Sequence, residues 1–104
     1  MSDYYTLNAD HSVTPVDYIG DALNQDRRIG RDTVKGYDVS TVFLGINHNQ
    51  SFNGPPLLFE TMVFQGSHTD LHRQRYSTYK QAVDGHKQVI DFIKLGLLPK
   101  EKEV

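Results

Sequence analysis

The chain has 104 residues, no cysteine, and 11 basic against 13 acidic side chains, which give it a formal charge of −2 at neutral pH. This length suits one domain, and the lack of cysteine excludes disulfides, thiol nucleophiles and cysteine-ligated zinc. The charge balance argues against non-specific nucleic-acid binding, which needs a strongly positive field. The sequence shows no signal-peptide pattern and no apolar stretch of membrane-spanning length, so we expect a soluble protein of a reducing cytoplasm.

The first 24 residues predict two short extended segments and a short helix. The segment YYTLNADHSV places a polar turn between two short runs with strand character. Thr14 is a candidate helix cap, and Pro15 suits the first helical position. Apolar residues then follow at helical spacing: Val16, Ile19, Ala22 and Leu23. We therefore expect a helix that begins at about Thr14 and ends near Asn24.

The middle of the chain predicts strands. The run DRRIGRDTVKGYDVSTVFLGI indicates a β-hairpin that turns at Lys35 and Gly36, because glycine accepts the positive φ of tight turns. The segment NHNQSFNGPP reads as a loop of about ten residues, and LLFETMVF as the clearest strand. We expect QGSHTDLHRQ, with His68 and His72, to be a polar loop before a short strand around Arg75 and Tyr76.

The last helix has the strongest local signals. Thr78 and Gln81 form a capping-box pattern, and Gly96 is a typical helix stop. The apolar face comprises Tyr79, Ala82, Val83, His86, Ile90 and Ile93. We predict one α+β domain over residues 1–96 and a charged tail over 97–104. Its antiparallel sheet has four to five strands, with a short N-terminal helix and a longer C-terminal helix packed on it.

The run GPPLLFETMVF is apolar on both sides of a strand. Leu58, Glu60, Met62 and Phe64 share one face, and Leu57, Phe59, Thr61 and Val63 share the other. We expect the C-terminal helix to cover the face with Glu60. An antiparallel sheet usually leaves a polar second face to water. The second apolar face therefore predicts a homodimer contact.

Glu60 and His86 are the leading candidates for a paired site. A carboxylate in an apolar strand needs a partner, and His86 is the titratable group on the apolar face of the last helix. We expect the two to meet near Thr41, as a structural bond or as a general acid and base. With His48 they would also complete a two-histidine, one-carboxylate set of the kind that holds a divalent metal. No cofactor is implied, and the structural role is preferred.

The arginines of DRRIGR form a second candidate site. Arg27, Arg28 and Arg31 can recognise phosphate or carboxylate groups through paired hydrogen bonds. Strict strand alternation would place Arg27 and Arg31 on one face and Arg28 on the other. Arg75, together with Lys35 and Arg73, would join them if their strands are neighbours. The alternative is a charged edge strand that discourages aggregation.

Three segments carry a resemblance to a known group of proteins. They are DRRIGRDTVKGYDVSTVFLGINHN, GPPLLFETMVF and RYSTYKQAVDGH. Together they resemble a family of small uncharacterised proteins encoded by bacteriophages and by bacteria in phage-derived regions, over roughly residues 4–93. The chain is less glycine-rich than such proteins at NQSFNG, and QGSHTDLHRQ is its own version of a variable connection. The resemblance implies a phage-type protein of the bacterial cytoplasm and lends no mechanism.

These observations leave three functions open. The first is a small non-enzymatic accessory protein that binds a host, defence or phage component, including a possible role against defence. The second is a protein that binds or sequesters a phosphate-bearing, nucleotide-derived ligand through its arginines and aromatic residues. The third is a metal-assisted or acid-base enzyme built on Glu60, His48 and His86. The absence of a nucleophile motif such as G-x-S-x-G makes binding the preferred class.

Overall fold

A computed structural model of the chain describes residues 3–49 and 53–97. The C-terminal tail from residue 98 and the centre of the predicted loop, residues 50–52, lie outside this description. The six strands and two helices, in chain order, are β1 Tyr4–Leu7, β2 Val13–Val16, α1 Ile19–Leu23, β3 Arg28–Val34, β4 Tyr37–Phe43, β5 Phe59–Gln65, β6 His68–Tyr76 and α2 Tyr79–Lys94.

The strands form two antiparallel sheets. β1 pairs with β2, and the larger sheet has the order β3-β4-β5-β6, in which each strand pairs with the next along the chain. The predicted α+β class with a four-stranded antiparallel sheet is therefore observed. The hairpin turn between β3 and β4 is at Lys35 and Gly36, with φ of 51° and 82°. Positive φ at both turn residues is typical of the type I′ turn, which matches the right-handed twist of paired strands.

The polar segment predicted as a loop is largely strand. β6 extends from His68 to Tyr76, so His68 and His72 lie on a strand and the loop prediction is wrong. Gly66, with φ of 59°, supports the turn that brings β6 back alongside β5. Pairing along β5 supplies the hydrogen bonds that stabilise this polar segment as a strand, and its intrinsic propensity does not indicate this.

The N-terminal helix is shorter than predicted and packs elsewhere. Thr14 and Pro15 belong to β2, and the helix begins at Ile19 after the N-cap residue Tyr18. Proline is tolerated in β2 because this is an edge strand, where a missing N–H breaks no ladder. The helix ends at Leu23, close to the predicted Asn24. α1 contacts β1 and β2, so the prediction that it packs on the main sheet is wrong.

α2 covers one side of the larger sheet and contacts all four of its strands. The predicted capping box is present: Thr78 accepts from the Gln81 amide, and the Gln81 side chain accepts from the Thr78 amide. At the other end, the Gly96 amide donates to the Ile93 carbonyl and the Leu97 amide to the Phe92 carbonyl, which is a Schellman termination. No helix within residues 3–49 and 53–97 has the length and apolar character needed to cross a membrane.

The side of β5 beneath α2 is the one predicted to face a second subunit. Phe59, Thr61 and Val63 are fully buried within the chain. The helix was expected on the face with Glu60, so this assignment is wrong. Of the four residues placed in a dimer contact, Phe59, Thr61 and Val63 are enclosed by the chain itself, and Leu57 is half-buried just before β5. Both sides of β5 are apolar, so alternation alone does not indicate which one receives the helix.

Candidate functional site

A chain of hydrogen bonds runs beneath α2 and crosses all four strands of the larger sheet. The Tyr76 hydroxyl donates to Thr61 Oγ1 at 3.1 Å, and Thr61 Oγ1 is 2.6 Å from Thr41 Oγ1. Thr41 Oγ1 is in turn 2.7 Å from His86 Nδ1. On the other side of the ring, His86 Nε2 is 2.7 Å from Asp32 Oδ2. These hydrogen bonds thus join β6, β5, β4, α2 and β3.

The two ends of the chain of hydrogen bonds constrain its donors. The Asp32 carboxylate accepts, so His86 Nε2 carries hydrogen. In the tautomer with hydrogen on Nε2 alone, His86 Nδ1 accepts from Thr41. Burial raises the pKa of Tyr76, although the hydrogen bond with Thr61 opposes this, so the phenol keeps its proton at neutral pH. Thr61 accepts from Tyr76 and donates to Thr41. In this tautomer each of the two threonine hydroxyls both donates and accepts.

This arrangement ties helix to sheet and leaves no accessible nucleophile. The order carboxylate, imidazole and hydroxyl is that of a hydrolase triad. However, the Thr41 side chain is fully buried and its hydroxyl contacts both His86 and Thr61. A reacting group cannot reach it, and both His86 nitrogens are occupied. The geometry supports the structural role that the sequence preferred for His86.

Two glycines allow this chain of hydrogen bonds to form. A Cβ at Gly30 would lie 3.3 Å from the His86 ring, and a Cβ at Gly85 would overlap the Tyr76 hydroxyl. The missing side chains therefore let α2 approach β3 and β6 closely. A cleft of about 280 Å³ opens beside Asp32 and His86. A second cleft of about 600 Å³ opens beside Tyr76 and Gly85, along the outer edge of β6.

Glu60 lies on the opposite side of the sheet from His86. It pairs across the strands with Val42 and Arg75, whereas its neighbour Thr61 points towards the helix. The Arg75 Nε donates to Glu60 Oε2 at 2.9 Å, and Arg73 Nε is 3.7 Å from the same oxygen. The predicted pairing of Glu60 with His86 is therefore wrong. The buried carboxylate has a partner, as its environment required, but the partner is arginine.

The proposed metal set is not assembled either. His48 is half-buried, and its Nδ1 donates to the Ile46 carbonyl at 2.8 Å. Glu60 is separated from His86 by the sheet. Within residues 3–49 and 53–97, no three histidine, aspartate or glutamate side chains are grouped to hold a metal ion.

The face of the sheet that carries Glu60 is rimmed with arginine. Residues directly opposite each other in antiparallel strands share a face, so the pairing defines rows of neighbours across the sheet. The first row is Arg28, Val42, Glu60 and Arg75; the second is Arg31, Ser40, Met62 and Arg73. Each row begins and ends with an arginine, and we call this surface the arginine face. Among the described residues, no helix or strand packs on it, since α2 and the β1-β2 hairpin lie on the other side.

A β-bulge places Arg28 and Arg31 together. The register shifts between Arg28 and Gly30, so that Ile29 and Gly30 both face α2. The prediction that Arg28 points away from Arg31 is therefore wrong, because alternation fails where a residue is inserted. Arg27 lies before β3, and its Nη1 donates to the Leu44 carbonyl at 3.3 Å. Of the four predicted arginines, the structure brings Arg28, Arg31 and Arg75 to one face.

The arginines of this face differ in how they are paired. Arg28 and Arg31 are exposed, and their guanidinium groups bind no side chain or carbonyl among the described residues. Arg75 is held through Nε, which leaves its two terminal amino groups without a described partner. Glu60 is only 8% exposed, so its negative charge is enclosed by its arginine neighbours. Guanidinium groups on the arginine face outnumber its carboxylates, although the whole chain is negative.

Asp32, Thr61 and Tyr76 belong to the chain of hydrogen bonds beneath α2 and were not predicted to do so; Asp32 is its exposed end. The sequence does contain a pattern from which the role of the two threonines could have been predicted. Each is the polar centre of an alternating apolar pattern: Val39, Thr41 and Phe43 in one strand, and Phe59, Thr61 and Val63 in the other. Two hydroxyls at equivalent buried positions indicate a shared hydrogen bond. Asp32 has no such signal, because it lies in a polar strand.

Comparisons with protein-family models, with curated proteins and with solved structures find no match for this chain. The resemblance to small phage-encoded proteins therefore stays an expectation drawn from its sequence motifs.

Proposed function

We propose that this chain is a non-enzymatic, phage-type accessory protein that acts in the bacterial cytoplasm by binding an anionic component of the host, its defence or the phage. The arginine face is the proposed binding surface. The observation that carries the proposal is the row arrangement, in which arginines lie at both edges of a sheet face on which no described helix or strand packs.

The composition of the arginine face supports binding. Between its arginines, half-buried Val42 and Met62 alternate with Ser40 and the arginine-paired Glu60, and half-buried Phe64 adjoins Met62. Arginine, methionine and aromatic residues are enriched in recognition surfaces, where apolar groups form the centre and charges the rim. An excess of positive charge on one face of a negative chain also directs anionic partners to that face.

The buried hydrogen-bond chain supports binding over acid-base catalysis. His86 and Thr41 are the described residues that most resemble catalytic groups, and both are fully engaged beneath α2. A general base must reach the proton of a substrate. Here the imidazole is buried and both of its nitrogens already have partners.

The proposal is tested by capture from a bacterial lysate, with and without phage infection. Wild-type protein and the variant Arg28→Gln/Arg31→Gln/Arg75→Gln are immobilised in parallel, and mass spectrometry identifies both retained proteins and retained small molecules. We expect the wild type to retain a component that salt releases and whose mass is unchanged, and the variant to lose it.

A matched control removes positive charge elsewhere. Lys80→Gln/Lys87→Gln alters two exposed cations on α2, on the other side of the sheet. We expect this control to retain the component. Equal capture by all three proteins would show that the arginine face is not the binding surface. Recovery of a chemically altered component from the wild type alone would instead indicate an enzyme.

A further inference from the structure

The β-bulge in β3 creates a candidate phosphate clamp within the arginine face. We infer that Arg28 and Arg31 together hold one phosphate group, that Arg75 holds a second, and that the ligand is a dinucleotide-like molecule. This inference rests on the proposed function, because it names the chemical class of ligand for the same surface.

The spacing of the first two arginines suits a single phosphate. Arg28 lies opposite Val42 and Arg31 opposite Ser40, which are two positions apart on β4. Two strand positions span about 7 Å, so the two side chains start one same-face step apart. Guanidinium groups bind phosphate oxygens in pairs, and two of them can engage one tetrahedral group from adjacent sides. Neither has a competing partner among the described residues.

The third arginine stands at the opposite edge of the sheet. Arg75 ends the row that begins at Arg28, and three strand spacings separate the two backbones by about 14 Å. Glu60 binds the Arg75 Nε and thereby orients the guanidinium, whose terminal amino groups stay available. Adjacent phosphates of one polyphosphate chain do not span this width. Two phosphates separated by a nucleoside are a better match.

Between the edge arginines the sheet offers a partly apolar surface. Val42 and Met62 lie in the two arginine rows, beside Ser40 and the arginine-paired Glu60. Phe64 adjoins Met62 on the same side of the sheet, opposite Asp38. A flat base can lie on such a surface, and aromatic stacking tolerates any base. This combination suits a ligand with a ring system between anionic ends, and the paired guanidinium groups favour phosphate at those ends.

Contacts of His86 with β3 explain why the backbone of the phosphate clamp, Arg28 and Arg31, is held in one position. The His86 ring lies against Gly30 inside the bulge, and His86 Nε2 donates to Asp32 just beyond it. Both contacts hold the stretch of β3 that re-aims Arg28. Bulges near binding sites commonly redirect a side chain in this way. His86 is thus a positioning residue for a site on the opposite face.

Isothermal titration calorimetry at low salt tests the ligand class with three probes. They are pApA, which carries a terminal phosphate and a bridging phosphate, ApA, which has the bridging phosphate alone, and adenosine. We expect pApA to bind at least about tenfold more tightly than ApA, because each charge-assisted contact contributes that much or more. Adenosine is expected to bind most weakly.

Variants then assign the contacts. Arg28→Gln/Arg31→Gln should weaken pApA binding by at least about tenfold and remove most of its advantage over ApA. Arg27→Gln is the matched control, since that guanidinium binds the Leu44 carbonyl, and it should leave the affinity near that of the wild type. Circular dichroism and thermal melting of each variant establish that the fold is kept.

Three results would overturn the inference: no pApA binding at millimolar concentration, equal binding of pApA and ApA, or an equal loss in Arg27→Gln. The lysate experiment separates this failure from that of the proposed function. If an acidic protein is captured through the arginines and pApA does not bind, the ligand class is wrong and the binding surface stands. If capture ignores the arginines, the proposed function itself is wrong.

Discussion

Thr41 performs the role that the sequence assigned to Glu60. Both residues lie at the centre of strands, and both were expected near His86. Thr41 lies opposite Thr61, which is the residue after Glu60 on the adjacent strand. Because successive residues of a strand face opposite sides, Thr41 and Glu60 lie on opposite faces of the sheet. The histidine therefore meets a hydroxyl, and the carboxylate meets arginine. This exchange removes the acid-base pair on which the enzymatic hypothesis depended.

Thr41→Val keeps the volume of the side chain but removes its hydroxyl. We predict that it lowers the free energy of unfolding by about 1–3 kcal/mol, because His86 Nδ1 and the Thr61 hydroxyl each lose a buried hydrogen-bond partner. Urea denaturation measures this loss. The ¹⁵N resonances of the His86 ring should move as well. Glu60→Gln is the control: whatever its effect on stability, those resonances should stay in place. If they move in Glu60→Gln and not in Thr41→Val, the assigned network is incorrect.

The contact between α2 and β6 is decided at one position of the helix. Gly85 is buried against the Tyr76 ring, and this lets the helix approach the edge of the sheet. Glycine inside a helix costs about 1 kcal/mol relative to alanine. The close approach and the hydrogen-bond chain that ends at Tyr76 offset this cost.

Gly85→Ala therefore sets two effects against each other. The added methyl group should gain up to about 1 kcal/mol of helix propensity, but overlap with Tyr76 costs about 1–3 kcal/mol because the neighbouring ring is packed. We expect a lower melting temperature and faster amide exchange in β6. Gln88→Ala, at an exposed position of the same helix, should not destabilise the protein. A Gly85→Ala protein as stable as the wild type would contradict this packing.

At the scale of the whole molecule, self-association stays a prediction with a changed surface. Phe59, Thr61 and Val63, first assigned to a dimer, are buried beneath α2, and the arginine face is the side of the sheet on which no described helix or strand packs. Two copies that meet through this face would bring guanidinium groups together. Their repulsion opposes dimerisation at low ionic strength.

We therefore predict that any dimer formed through the arginine face becomes more populated as salt increases, because screening weakens the repulsion. Size-exclusion chromatography with light scattering between low and high salt measures this. Arg28→Gln/Arg31→Gln should dimerise more readily than the wild type at low salt. A dimer that salt dissociates, or that ignores the arginine substitutions, would use another surface.

Much of the secondary structure was predictable because its causes are local. The turn at Lys35 and Gly36 depends on two backbone conformations, and the start of α2 depends on hydrogen bonds between Thr78 and Gln81. The strand character of β6 was missed because it comes from pairing with β5. The start of α1 was misplaced because Pro15 suits an edge strand as well as a helix start.

By itself, the sequence determined the α+β class, the β3-β4 hairpin, the extent of α2 and the need for a partner at Glu60. Residues a few positions apart, or the cost of burying a charge, are sufficient for these. Tertiary structure alone decided which face of β5 received α2, which partner Glu60 met, and that a bulge set Arg28 beside Arg31. Alternation is symmetric between the two faces of a strand, so only packing against the rest of the chain distinguishes them.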